Sequence, residues 1–258
     1  MRQILTILLL VPAMLMAQEV TLLKQRKFPK TVPAGNYSGI TWMGGNRYAV
    51  ANDKSPTTGF YQMAIDIDNT TGDILSVRLD TFLTCGQPTR DEEGICYMPQ
   101  NQTVFVSGEK DQEILEFDLQ GQLTGRKLNI PEIFKTNYPN RGFEALTYQQ
   151  KTHHFWTTSE NTLKADGEMP TINRKIKNRL RFQSFGDDLQ PQEQYWYETD
   201  SAIVKKRKGT SIRNFANYEG ICVGPKLADG RQLLILICDS QNQYRGVMRD
   251  WFKTIILP

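Results

Sequence analysis

Seven acidic residues recur at matching places along the chain: Asp53, Glu93, Glu109, Glu144, Glu160, Glu219 and Asp239. The segment EGICYMPQNQTVFVSGE runs from Glu93 to Glu109 and EALTYQQKTHHFWTTSE from Glu144 to Glu160, so each acid meets its mate 16 positions on. A third copy, EGICVGPKLADGRQLLILICD, joins Glu219 to Asp239 with four extra residues in its turn. A fourth, SGITWMGGNRYAVAND, has Ser38 in place of the first acid and ends at Asp53. Carboxylates brought together raise one another's pKa values unless something compensates their charge. An all-oxygen set suits a hard cation, and Ca2+ in particular. Backbone N–H groups or Arg and Lys partners would compensate them equally well, so a cation site and a purely structural ring of acids both remain open.

The elements that must position these acids are hairpins. In an antiparallel pair the residue that begins the first strand lies beside the residue that ends the second. Glu93 with Glu109, Glu144 with Glu160 and Glu219 with Asp239 should thus share one end of their units. Further strand pairs with a Gly turn follow the first two copies, FYQMAIDIDNTTGDILSVRLD and EILEFDLQGQLTGRKLNI. The copies begin at residues 38, 93, 144 and 219, which is 55, 51 and 75 positions apart. Four short antiparallel strands repeated every ~40–50 residues mark propeller blades. The expected fold is all-β: a single β-propeller of five or six blades, each a four-stranded antiparallel repeat, with five favoured by length. VTLLKQRKF and VMRDWFKTIIL, near the two ends, are expected to complete one blade jointly and so remove exposed edges. The 75-residue interval holds the basic insert NTLKADGEMPTINRKIKNR, in one enlarged blade or in a blade with a degenerate neighbour. If the acid-bearing strands are innermost, the seven acids meet at one mouth of the central channel. A two-sheet sandwich would not call for the same acid in successive units.

The 258 residues carry 31 Lys and Arg against 28 Asp and Glu, a balance too even to point to nucleic acid. Neither zinc-finger spacing nor an RRM signature is present. Arg2 precedes the apolar run ILTILLLVPAMLMA, the layout of a secretory signal peptide over residues 1–17. The expectation is an exported domain over 18–258, periplasmic or extracellular, with no transmembrane segment in the mature chain. Cys85, Cys96, Cys222 and Cys238 form no CxxC pair; a Cys222–Cys238 or Cys85–Cys96 disulfide and free thiols all stay open. Two basic groups are candidates for holding phosphate or for a solvated surface: Lys205, Lys206, Arg207 and Lys208, and Arg174, Lys175, Lys177, Arg179 and Arg181 in the insert. Asp66 to Asp73 reads as a hairpin turn, since Gly72 is one position late for an EF-hand. The absence of a GxSxG elbow speaks against a serine hydrolase.

Taken in order, EGICYMPQNQTVFVSGEKDQEILEFDLQG, NYPNRGFEALTYQQKTHHFWTTSE and YEGICVGPKLADGRQLLILICDSQN resemble the successive motifs of the family called esterase-like activity of phytase, and SGITWMGGNRYAVANDK resembles its opening motif. The resemblance spans residues 34–245; a weaker one exists to the SdiA-regulated YjiK-like propellers. It implies an often exported β-propeller whose acids serve a phosphoesterase or phytase-like activity. The family's repeated acids match Asp53, Glu93, Glu109, Glu144, Glu160, Glu219 and Asp239; their clustering makes these the expected ligands and Ca2+ the expected ion, and the matching repeat positions make Glu93, Glu144 and Glu219 the expected catalytic residues. The implied partner is a small-molecule phosphate ester. The alternative is a secreted binding or scaffold propeller without catalysis. The region from Tyr197 to Tyr218 is shorter and more basic than the family pattern, which bears on the blade count and on one wall of a substrate pocket. The sequence leaves substrate identity and oligomeric state open.

Overall fold

The structure is a computed structural model that describes residues 19–171, 173–199 and 216–258. A short N-terminal strand, β1 (Thr21–Leu22), is followed by the first complete repeat: β2 (Tyr37–Trp42), β3 (Arg47–Asn52), β4 (Thr57–Ile67) and β5 (Ile74–Pro88). The second repeat is β6 (Glu92–Met98), β7 (Thr103–Gly108), β8 (Ile114–Phe117) and β9 (Leu123–Lys127). The third is β10 (Phe143–Gln149), β11 (His154–Ser159), β12 (Asn178–Phe185) and β13 (Pro191–Thr199). The fourth has β14 (Tyr218–Lys226), β15 (Gln232–Cys238) and β16 (Phe252–Leu257). Each repeat forms a four-stranded antiparallel sheet, and β1 completes the last in the order β1-β16-β15-β14. Thr21 pairs with Ile256 and Leu22 with Ile255, so the two ends of the chain share one blade as the sequence anticipated.

The propeller has four blades, not the five or six expected from length. Dividing length by repeat interval overcounted because the 75-residue interval holds a single enlarged blade, β10–β13, with its insert between β11 and β12, and then residues 200–215. Those residues, including the Lys205–Lys208 run, lie outside the described part of the chain. The Asp66–Asp73 segment is a turn: the Asp68 carboxylate accepts the Thr70 and Thr71 N–H groups, both at 2.8 Å, and Gly72 takes the positive φ of +79° that favours glycine.

Apolar side chains fill the seams between blades. Phe105 of the second blade and Phe155 of the third have ring centroids 4.6 Å apart. Ala49 and Phe60 of the first pack with Ile95, Val106 and Phe117 of the second. Tyr48, Val50 and Met63 of the first pack with Ile235, Ile237 and Phe252 of the fourth. Innermost strands therefore run side by side in the order β14, β2, β6, β10. Between β10 and β14 the described residues form no such core, and the channel widens there into a cleft of about 320 Å3.

The four cysteines are free. Strand register explains why Cys222 and Cys238 do not bridge: Cys222 lies opposite Ile235, and Cys238 opposite Tyr218.

Candidate metal centre

The first acid of each repeat occupies a β-bulge. In the third blade Phe143 pairs with Ser159 and Ala145 with Thr158, leaving Glu144 as the extra residue. Tyr218 and Gly220 flank Glu219 in the same way, and Tyr37 and Gly39 flank Ser38. In the second blade Glu93 and Gly94 together oppose the one residue between Gly108 and Val106. A bulge bends the strand and re-aims the side chain it carries. This corrects the simple hairpin expectation: the first acid is not level with its mate but displaced by the bulge. The second acids also share one device. The N–H groups of Asp53, Glu109, Glu160 and Asp239 donate to the carbonyls of Asn36, Asp91, Gly142 and Asn217, at 2.8–3.0 Å.

The residue after the bulge decides how closely blades approach. A Cβ on Gly39 would lie 2.4 Å from the Glu93 carbonyl oxygen, one on Gly94 2.7 Å from the Leu146 nitrogen, and one on Gly220 3.2 Å from Gly39 and Ile40 backbone. Glycine at these three places lets neighbouring inner strands touch. The third blade has Ala145 at the equivalent position, and that residue is exposed to the cleft.

Among the described residues, three of the seven acids are close enough to share an ion. One carboxylate oxygen each from Glu109, Glu144 and Glu160 fall within 4.8 Å of one another. The Gly142 N–H donates to the Glu109 carboxylate at 3.4 Å, and Arg141 forms an ion pair with Glu160. Glu93 is 7% exposed, and no hydrogen-bond donor among the described residues reaches its carboxylate. Burial, then repulsion from Glu144, Asp53, Glu109 and Glu219, pushes its pKa up to about 10. Burial followed by the charges of Glu160, Glu219 and Glu109 pushes Glu144 up to about 8. Glu219 rises to about 7 from desolvation and the Asp239 charge, against a hydrogen bond from Asn217. Glu160 and Asp239 are raised too, chiefly by burial.

Such a group is poised for a cation. The donor set fits: it is all oxygen, no hydrogen bond among the described residues reaches the Glu93 carboxylate, and one buried Asp53 oxygen, Oδ1, has no partner among them while the other pairs with Lys54. Lys54 is partly desolvated, which lowers its pKa, but the bond to Asp53 and the nearby Asp91 and Glu93 charges outweigh this and raise it.

The insert bases do not converge on the acids. Arg174 pairs with Glu168, Lys177 and Arg179 with Glu198, and Arg181 with Asp166 and Gln194. Among the described residues Lys54 and Arg141 are the bases paired with these acids, and reading the sequence for basic runs missed both. Adjacency to Asp53 and a spacing of three before Glu144 were the available signals. Glu92, fully buried and bonded to Thr58, Thr89 and the Arg90 N–H, was also missed; its carbonyl accepts the Ser38 hydroxyl at 2.7 Å and ties the first two blades together.

A four-bladed propeller whose bulges gather carboxylates at one channel mouth offers a candidate site for a metal ion. Residues 32–212 match the model of the phytase-like family described as esterase-like activity of phytase, and the chain belongs to that family. The match takes in Asp53, Glu93, Glu109, Glu144 and Glu160 and ends before Glu219 and Asp239, short of the span read from the motifs. No protein of curated function matches. Among solved structures, Kuenenia stuttgartiensis hydrazine synthase is similar at 8% identity and a TM-score of 0.37, over 81% of this chain and 43% of that one. Virginiamycin B lyase from Staphylococcus aureus is similar at 14% identity and a TM-score of 0.33, over 88% and 68%. A nidogen/laminin complex gives 11% identity and a TM-score of 0.38, over 87% and 86%. Likenesses this distant say nothing of function. Among the described residues no helix is long and apolar enough to cross a membrane.

Proposed function

We propose that the protein is an exported, metal-assisted phosphate ester hydrolase, with Glu109, Glu144 and Glu160 holding the ion. The observation that carries this reading is the convergence of those three carboxylates, with the buried Glu93 in the same acidic cluster. Ca2+ is the ion best suited to a wholly carboxylate set. When bound, it would polarise a phosphoryl oxygen and make water a better nucleophile.

The chain's own groups supply the rest. Glu219, with a pKa near 7, accepts a proton from the attacking water, and Glu93, protonated at neutral pH, donates one to the leaving oxygen. A new P–O bond forms to the water oxygen as the ester P–O bond breaks, so the products are an alcohol and inorganic phosphate. Arg141 and Lys54 limit the negative charge that the incoming phosphate meets.

A second reading, a binding propeller without catalysis, is favoured by one observation: the insert bases are spent on Glu168, Glu198 and Asp166. Metal analysis of the purified mature protein, with Ca2+-dependent turnover of phosphomonoesters and phosphodiesters by wild type and Glu144→Gln, separates the two. Turnover that needs Ca2+ and falls at least a hundredfold in the variant supports the hydrolase. Ca2+-dependent stability without turnover supports the binding propeller, and absence of any metal affinity removes the hydrolase.

A further inference from the structure

The cleft between the third and fourth blades continues into the central channel, where Ser38 to Ile40 and Gly94 and Ile95 of the first two blades line it, and its outer walls are two apolar sheet faces. On the third blade Thr147, Trp156 and Phe182 share one face, since Thr147 pairs with Trp156 and Phe182 pairs with Thr158, two residues along from Trp156. On the fourth, Ile221 and Val223 alternate outward on β14, and Val223 pairs with Leu234. Ile221 is 56% and Val223 59% exposed, an unusual state for β-branched residues on an inner propeller strand. Both walls end at the acids: Glu144 and Glu219 line the same cleft as these side chains. At about 320 Å3 it lies near the lower end of the range for small-molecule sites, ~300–1,000 Å3.

We propose that this cleft is the specificity pocket, and that it selects phosphate esters whose alcohol portion is an apolar group of aromatic size. This rests on the hydrolase reading above. The chemistry of the two ends fits one ligand: a phosphoryl group at the carboxylate-held cation, and an apolar body between Trp156 and Val223. A highly phosphorylated polyol such as phytate would set charged groups against Ile221, Val223 and Phe182 without donors to receive them, at a desolvation cost. The same walls exclude water from one side of the phosphoryl site.

The test uses two readouts. First, 2-naphthol, the product alcohol of an aryl ester, is titrated into metal-free protein and followed by its fluorescence. Saturable binding is expected, weakened at least tenfold by Val223→Glu and less by Val223→Ala, and unaffected by Leu75→Glu on an exposed part of β5. Second, KM is compared for phenyl and 2-naphthyl phosphate, whose leaving groups are similar in acidity, and for phytate, all with Ca2+. A KM at least tenfold lower for the naphthyl ester, lost in Val223→Glu, supports the pocket. Naphthol binding abolished by Val223→Glu but with no ester turned over overturns the hydrolase reading while leaving the apolar pocket in place. Turnover with equal KM for all three esters, or no saturable naphthol binding because a second copy fills the cleft in a sedimenting dimer, overturns the pocket.

Discussion

Replacing Glu93 by Gln isolates the energetic burden of the acid cluster. Glu93 has its pKa raised from 4.5 to about 10 by burial and four neighbouring acids. A carboxyl raised in the folded state contributes stability that is fully present below its unfolded pKa and is lost as pH climbs toward the folded value. At pH 7 the unfolded chain ionises this group and the folded protein does not. The free-energy gap is 2.303RT times the 2.5 units between 7 and 4.5, about 3 kcal/mol at ~1.4 kcal/mol per unit. Since the folded value lies far above the assay pH, this figure depends on the unfolded value alone.

Gln carries no such burden at any pH. Whatever it gains or loses in packing applies at pH 4 and pH 7 alike, so the difference between the two conditions reports ionisation only. In urea unfolding with chelator present, Glu93→Gln is expected to be about 3 kcal/mol more favourable relative to wild type at pH 7 than at pH 4. At an m-value of ~2 kcal/mol/M this is a relative midpoint shift of about 1.5 M. An equal stability difference at both pH values would refute the reasoning, because it would mean that Glu93 ionises in the folded protein as freely as in water.

Three other outcomes follow. Gly39→Val drives a Cβ onto the Glu93 carbonyl oxygen and should cost about 1–3 kcal/mol, or several degrees of Tm, whereas Ala145→Val, exposed in the cleft, should stay within about 0.5 kcal/mol; calorimetry of both checks it. Arg181 is buried, paired with Asp166 and Gln194, and stands 4.7 Å from the Trp196 ring, so Arg181→Ala should destabilise by about 3 kcal/mol in urea titrations at pH 7 and leave metal affinity unchanged. The exported protein should begin at Gln18, which N-terminal sequencing of secreted material reads directly.

The acid repeat and the paired termini were legible because they follow from local rules. Alternating strands, polar turns and an acid at a fixed offset identify a blade without knowledge of its neighbours. Closure of a blade by β1 and β16 follows from the need to cover edges. The blade count was not legible by length, because the insert and residues 200–215 occupy a repeat's worth of chain without adding a sheet among the described residues. Nor was the trio of glutamates able to hold a metal ion. A repeat makes Glu93, Glu109, Glu144 and Glu160 look equivalent, whereas the approach of the second and third blades brings Glu109 to Glu144 and Glu160 and leaves Glu93 deeper.

The motif nevertheless held a finer signal than its acids. Three copies read Ser-Gly-Ile or Glu-Gly-Ile, and the third copy reads Glu-Ala-Leu. The glycines at 39, 94 and 220 stand where the next inner strand touches the backbone, and each belongs to a closed seam. Ala145 is the position that no described strand approaches, and it opens on the cleft. A methyl group costs nothing there because the contact that forbids it elsewhere is missing. The substitution of one small residue thus marks the interrupted seam, and the interruption places an apolar cleft against Glu144 and Glu219. A closed ring would bury Ile221 and Val223 in a fourth seam and leave the acids reachable only along the channel axis. Among the described residues that seam is open, so the carboxylates have a side entrance with apolar walls, and a ring of like charges becomes a site that a ligand can reach.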